Sequence, residues 1–343
     1  MLKVTSPLPC RAPWWAASGH LQTILGNYLP GASPAHPSEP FRIPLDDGDQ
    51  LAGRHYPGET DVLVLVFHGL GGDDRAHYVR RTVALARRLG HSVWTVNHRG
   101  CGEGRGLAKK PYHSGSGADL GAVFAAARER HPGLRQLAVA YSLSANALLL
   151  NLGGGLPEPA PGPDAAIAVN PPIDLGACSQ AIHGGLSRLY ELRFIKRCRQ
   201  AIRQRVEDGL IPAVYRTWPL MSLREFDDSY TSKAAGFRDA DDYYARCSAR
   251  HHLAKITVPT VILMAKDDPF IPWQHAAEAD LSPDVHLHVE SCGGHMGYLS
   301  RDLPEHRWLP IAVEHFAKEL MAPFGSTSPQ LGHQGRQQPQ DLL

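Results

Sequence analysis

Between residues 62 and 169 short apolar runs alternate with stretches of helical period, and that alternation restricts the chain to few folds. The runs 62–67, 93–97, 136–141 and 165–169 are apolar at successive positions, so both faces of each must be buried, as in a central parallel strand. The stretches between them, 77–89, 118–130 and 145–152, carry apolar residues at helical spacing. Parallel strands need a crossover, usually a helix, to rejoin the same sheet. The pattern therefore predicts an α/β chain with a mostly parallel, doubly wound sheet.

Upstream, residues 41–45, the turn Asp46-Asp47-Gly48-Asp49 and residues 50–56 read as an antiparallel hairpin. After Asp174 the alternation stops for about eighty residues, too long for an ordinary connection inside a compact sheet. It resumes with strands at 260–264 and 285–290, a helix near 274–280 and a last helix at 308–321. The expected division is a core of 41–174 and 256–324 with an inserted helical cap at 175–255. Residues 1–40, rich in Pro and aromatic residues (Pro13-Trp14-Trp15, Pro30, Pro34, Pro37, Pro40), show neither period and are expected to wrap over the core as an arm. Residues 325–343 are a Ser, Pro, Gln, Gly and His tail that cannot bury a core, and disorder is expected there.

Charge excludes several partners. The 35 basic and 34 acidic side chains leave a formal charge of +1, so no overall field draws nucleic acid or an anionic membrane. The segment 186–206 departs from this balance: Arg188, Arg193, Lys196, Arg197, Arg199, Arg203 and Arg205 stand against Glu191, with Leu189, Leu192, Ile195 and Ile202 as an apolar stripe. An interfacial or anion-attracting helix is one reading; a cap helix with a solvated basic face is preferred, because the rest of the chain is neutral. No apolar run has the length of a membrane span and the start has none of signal-peptide length, so a soluble, cytoplasmic protein is expected. The six cysteines are scattered without a CxxC pair and read as free thiols. The 19 histidines include no HExxH, and His251-His252 has no carboxylate or thiol at ligand spacing, so neither metal nor cofactor is expected.

Chemistry concentrates at strand ends. Ala140-Tyr141-Ser142-Leu143-Ser144 lies between a strand and a helix, a variant of G-x-S-x-G, the turn that lifts a serine hydroxyl above a sheet and aims helix N–H groups at a developing oxyanion. Both glycines of that pattern are replaced, by Ala140 and Ser144. A serine hydroxyl is a poor nucleophile until a base takes its proton and a carboxylate fixes the base. Both follow in order. Ala265-Lys266-Asp267-Asp268-Pro269 comes after the strand at 260–264, and Ser291-Cys292-Gly293-Gly294-His295 after that at 285–290. One of the adjacent acids should face His295; Asp268, which precedes Pro269 at the loop proper, is chosen over Asp267. The oxyanion donors are expected to be the backbone N–H groups of Leu143 and of Leu70, in His68-Gly69-Leu70-Gly71-Gly72. Neither that stretch nor Gly100-Cys101-Gly102-Glu103-Gly104 has the spacing of a phosphate-binding loop. Cys292 lies on the loop of the histidine rather than at an elbow and is read as structural or incidental.

From Pro13 to Met321 the chain resembles the YheT-type α/β-hydrolases, a group related to eukaryotic membrane-associated lipases and ethanol acyltransferases. The resemblance is carried by Pro13-Trp14-Trp15 with Gly19-His20-Leu21-Gln22-Thr23, by His68-Gly69-Leu70-Gly71-Gly72, Asn97-His98-Arg99-Gly100-Cys101 and Asn170-Pro171-Pro172, and by Asp267-Asp268-Pro269-Phe270. The family pattern G-[FY]-S-[LM]-G-[GA]-N is matched at Ser142 and Asn146 and not at Ala140 or Ser144. The resemblance implies carboxylic ester hydrolysis without a cofactor, with Ser142, Asp268 and His295 as a triad and a small-molecule ester or lipid-like substrate of short- to medium-chain acyl groups or acylglycerols. Two other readings stay open: an acyltransferase in which an alcohol intercepts the acyl group, and a non-catalytic binding module with a degenerate elbow.

Overall fold

The computed structural model describes residues 2–29 and 36–322. The expected tail at 325–343, and Pro30 and Pro34 of the arm, lie outside the described residues. One eight-stranded sheet runs through the molecule in the order β1-β2-β4-β3-β5-β6-β7-β8, built from β1 (Glu39–Pro44), β2 (Gln50–Tyr56), β3 (Val62–Phe67), β4 (Ser92–Asn97), β5 (Arg135–Tyr141), β6 (Ala165–Val169), β7 (Thr260–Ala265) and β8 (Val285–Glu290). The hairpin β1–β2 is antiparallel, β2 meets β4 antiparallel, and every remaining pair is parallel. The doubly wound, mostly parallel sheet is as the alternation requires.

The central strands are apolar throughout because each side of the sheet has its own core. In β3, Leu63, Leu65 and Phe67 join the layer that contains α3 (Gly117–Arg130) and α4 (Leu143–Leu152). Val62, Val64 and Val66, pointing the other way by the two-residue period of a strand, join the layer of α2 (His77–Arg88) and a C-terminal helix at Leu309–Leu320.

Between β6 and β7 the chain makes helices instead of strands: α5 (Leu175–His183), α6 (Arg188–Glu207), α7 (Leu223–Phe226), a π-helical turn (Asp227–Thr231), α8 (Ser232–Ala235) and α9 (Ala240–Cys247). Ile195, Ile202, Met221, Phe226 and Tyr230 give this insertion an apolar cluster of its own. After β7 come α10 (Gln274–Ala277) and α11 (Leu309–Leu320). In α6 the expected apolar stripe holds at Ile195 and Ile202, whereas Leu189 is 66% exposed. Glu191, the acid of the basic segment 186–206, is fully buried; it accepts from Arg188 and from Leu223 N and lies 3.0 Å from His183 Nδ1. A carboxylate whose oxygens are filled in this way can be buried without an unpaired charge.

Residues 1–40 also depart from expectation. They contain α1 (Gly19–Tyr28), capped by Ser18, whose Oγ accepts from Leu21 N at 3.3 Å. Its buried face is Gly19, Gln22 and Gly26, so no apolar period marks it in the sequence. Close approach takes the place of apolar bulk: a Cβ on Gly19 would come within 1.6 Å of Asp267 O, and one on Gly26 within 2.4 Å of Gly297 Cα. No helix among the described residues is long and apolar enough to cross a membrane.

Candidate active site

The elbow between β5 and α4 is strained. Ser142 holds φ 54° and ψ −122°, a region that a residue with a Cβ avoids, and its N–H donates to Val169 O of the neighbouring strand at 2.8 Å. Ala140 is fully buried within β5, between Phe67 of β3 and Ala168 of β6. Gly69 approaches from the end of β3 so closely that a Cβ there would be 3.0 Å from Ser142 Cβ. A side chain at this position would press on the serine, and glycine lets the backbone after β3 pass it without that contact.

Three side chains from three strand ends make one hydrogen-bonded chain. His295 Nε2 is 3.0 Å from Ser142 Oγ, and His295 Nδ1 is 2.8 Å from Asp268 Oδ2. Asp268 is almost wholly buried as a side chain, at 1% exposure, yet each of its oxygens is supplied with donors. Oδ1 accepts from Phe270 N at 3.1 Å and Ile271 N at 3.0 Å, and Oδ2 accepts from Asn170 Nδ2 at 2.7 Å. Asn170 is held in turn by Tyr298, whose hydroxyl donates to Asn170 Oδ1 at 2.7 Å. A carboxylate so served stays fixed and leaves Oδ2 for the imidazole. Asp267 does not reach His295; its Oδ1 accepts from Gly294 N at 2.8 Å, and burial raises its pKa. Of the two adjacent acids, the one in contact with the histidine is Asp268.

The histidine loop rests on α1. Thr23 Oγ1 accepts from His295 N at 2.8 Å and donates to Gly19 O at 2.7 Å. Gln22 donates to Ala16 O and Leu299 O and accepts from Leu299 N at 2.6 Å. Thr23, Asn170 and Tyr298 are supporting groups that the sequence reading did not single out. Thr23 and Asn170 stand inside the quoted motifs GHLQT and NPP, so the signal was present without a role attached.

Leu70 and Leu143 lie beside Ser142 on the wall of one cavity, with Leu143 the first residue of α4. Their neighbour Ser144 is more than a small substitute for glycine. Its hydroxyl, fully buried, lies 2.6 Å from His98 Nε2 and 2.8 Å from Tyr112 Oη, and donates to His68 O. His68 donates through Nδ1 to Gly69 O at 2.9 Å and accepts through Nε2 from His98 N at 3.2 Å, an arrangement that needs the neutral ring. Burial lowers the pKa of His68 to about 4 and that of His98 well below its ordinary value, so both rings are neutral near pH 7. Two other motif residues prove to be braces. Arg99 binds Asp47, Asp49 and Asp119, and Asn146 joins α4 to Ser114, Cys247 and Ala249.

Comparisons with known proteins agree with this architecture. The family model described as alpha/beta hydrolase family matches residues 63–305. The chain is 33% identical over 273 residues to YheT of Escherichia coli (strain K12), a provisionally named esterase, covering 76% of this chain and 79% of that one. It is 29% identical over 268 residues to the phospholipase ABHD3 of Bos taurus, covering 75% of this chain and 64% of the relative. It is 26% identical over 287 residues to the medium-chain fatty acid ethyl ester synthase/esterase 2 of Saccharomyces cerevisiae, covering 75% and 62%. Among solved structures, the esterase Pf2001 of Pyrococcus furiosus superposes with a TM-score of 0.56 at 15% identity, covering 91% of this chain and 98% of that one, a likeness of fold.

Proposed function

We infer, from the premise that the chain belongs to the alpha/beta hydrolase family and is a carboxylic ester hydrolase, that it cleaves its ester through an acyl-enzyme on Ser142. In this reading Ser142 Oγ attacks the ester carbonyl carbon while His295 Nε2 takes the hydroxyl proton. Asp268 holds His295 Nδ1–H and stabilises the imidazolium. The N–H groups of Leu70 and Leu143 receive the oxyanion. The tetrahedral centre collapses, the bond to the leaving oxygen breaks, and that oxygen takes the proton from His295 Nε2. Water, with its proton drawn by the same nitrogen, then releases the acid and frees Ser142.

The observation that carries this reading is the unbroken contact from Ser142 Oγ through His295 to Asp268, at 3.0 and 2.8 Å. It also weighs against the reading of a non-catalytic module, for which the replaced glycines were the motive. We propose further that the arm 1–40, the core 41–174 and 256–324 and the insertion 175–255 act as separate units, with the insertion as a cap over a small-molecule or lipid-like ester, and that the enzyme works in the cytoplasm. A fluorophosphonate probe should label the wild-type protein and leave Ser142→Ala unlabelled; equal labelling of both would refute the assignment. An alcohol can replace water in the second step, and the Saccharomyces relative's name joins synthase with esterase. Ester formation on adding ethanol to the acylated enzyme measures that share.

A further inference from the structure

Two cavities meet at Ser142, and they differ in which of the reacting groups they touch. The first runs under the insertion, with Leu143, Leu175, Ile182, Phe194, Ile202 and Phe226 on its wall. The second opens between α1, the loop after β3 and α6, and has His295, Tyr190, Asp73, Arg75, Arg193 and Arg197 on its wall. His295 borders the second cavity and not the first. On the acyl-enzyme reading above, the leaving oxygen takes its proton from His295 Nε2 as its bond to carbon breaks, so the alcohol portion must lie on the His295 side. The acyl chain then falls into the apolar cavity beyond Leu143.

The arginines of the two cavities are in different states. In the first, Arg99 is neutralised by Asp47, Asp49 and Asp119, and Arg205 is buried with its hydrogens on Tyr230 Oη and the carbonyls of Arg99 and Lys110. Arg197 lies on the wall of both; on the second it is joined by Arg75 and Arg193, and all three are exposed. No salt bridge among the described residues involves any of them; Arg193 Nη1 donates to Tyr28 Oη at 3.1 Å and Arg197 Nη1 to Gly71 O at 2.9 Å. Each guanidinium has five N–H donors, so most remain available. Tyr190, Arg193, Phe194 and Arg197 follow one another at helical spacing, so α6 turns a single mixed aromatic and basic stripe to this cavity. Among the described residues Asp73 is the one carboxylate on the wall, and its Oδ1 already accepts from Arg75 N at 2.9 Å.

We propose that the second cavity is the leaving-group site and that it selects an alcohol bearing a phosphate. A phosphate offers more acceptor oxygens and more charge than a carboxylate, and can engage several converging guanidinium groups at once. The basic stripe of α6 is then a recognition surface on the alcohol side, and on the acyl side the charges of Arg99 and Arg205 are already engaged.

The test compares kcat/KM for hexanoyl glycerol and hexanoyl glycerol 3-phosphate, which share an acyl chain and differ in the charge of the alcohol. The expected preference for the phosphate ester is about tenfold at low salt, shrinking as ionic strength rises. In the double variant Arg193→Gln, Arg197→Gln the ratio should fall towards one. Oleoyl glycerol and oleoyl glycerol 3-phosphate in vesicles of diether phosphatidylcholine, which has no ester to cleave, separate the two sources of phosphate: a larger preference in vesicles assigns a lipid headgroup, and a larger one in the monomeric pair a soluble phosphate ester. Equal or better hydrolysis of the neutral ester in both pairs overturns the proposal, as does a ratio unmoved in the double variant. Fluorophosphonate labelling of Ser142 in each protein keeps the outcomes apart: loss of labelling counts against the acyl-enzyme, whereas labelling without a phosphate preference counts against this site alone.

Discussion

Ser144 stands where a glycine is expected, and its hydroxyl bonds the first turn of α4 to His68 O, the carbonyl that leads into Gly69 and Leu70. With the proton of His98 on Nε2, Ser144 Oγ accepts from His98 and Tyr112 while donating to His68 O, so every bonding site of the hydroxyl is used. Ser144→Ala would strand these buried partners. We expect a loss of about 1–3 kcal/mol of stability, read from the denaturant midpoint. Activity should also fall by about tenfold or more, because the loop carrying Leu70 loses its tie to the elbow. The neighbouring acids give a sharper contrast. Asp268→Asn should lower kcat by roughly three to four powers of ten, since the amide cannot hold the imidazole in its productive tautomer. Asp267→Asn keeps an acceptor for Gly294 N and should cost less than about tenfold. Steady-state kinetics on one ester checks both, and the reverse order would assign the role to Asp267. In the sequence Asp268 is preferred only for its place before Pro269; its contact with His295 is a matter of tertiary geometry. The work of Ser144 was not legible there, because its partners His68, His98 and Tyr112 come together only in space.

At the scale of elements, agreement follows burial. The strands of the sheet interior lie where continuous apolar runs place them, because a strand covered on both faces has no solvent side to break the run. α1 was missed for the opposite reason: glycines and one glutamine make its buried face, and its contacts are backbone to backbone. That helix nevertheless holds the histidine loop. Thr23→Val keeps the shape of the side chain and removes the acceptor for His295 N and the donor to Gly19 O. We expect kcat to fall about tenfold with a stability loss of about 1–2 kcal/mol. Unchanged kcat in a folded Thr23→Val protein would mean that α1 does not position His295.

For the whole molecule, buried histidines dictate the acid limb of stability. His68, His77 and His113 are lowered to about 4 by burial, and His98 is lowered well below its ordinary value. Unfolding lets each ring recover an ordinary pKa near 6.5, so between pH 6.5 and about 4 the unfolded chain binds more protons and stability falls with pH. Asp227, raised to about 7 by burial, works the other way in the same window, because the folded state holds its proton. Asp74, Asp119 and Asp267 are raised as well, but burial also lowers His55, His91, His131, His252 and His286, so the rings outnumber the carboxyls. The urea midpoint should therefore drop between pH 7 and pH 5; a flat or rising profile would contradict neutral rings in the folded protein.

The local sequence determined the doubly wound sheet, the position of the insertion and the order of Ser142, Asp268 and His295. These follow from periodicity and from turn chemistry at strand ends, which neighbouring residues encode among themselves. Tertiary structure decided which of two adjacent carboxylates meets the histidine, what Ser144 and Thr23 hold, and that Arg193 and Arg197 of α6 reach the cavity bordered by His295. Each of these depends on distances between residues far apart in the chain, and those distances are fixed only when the helices close over the sheet.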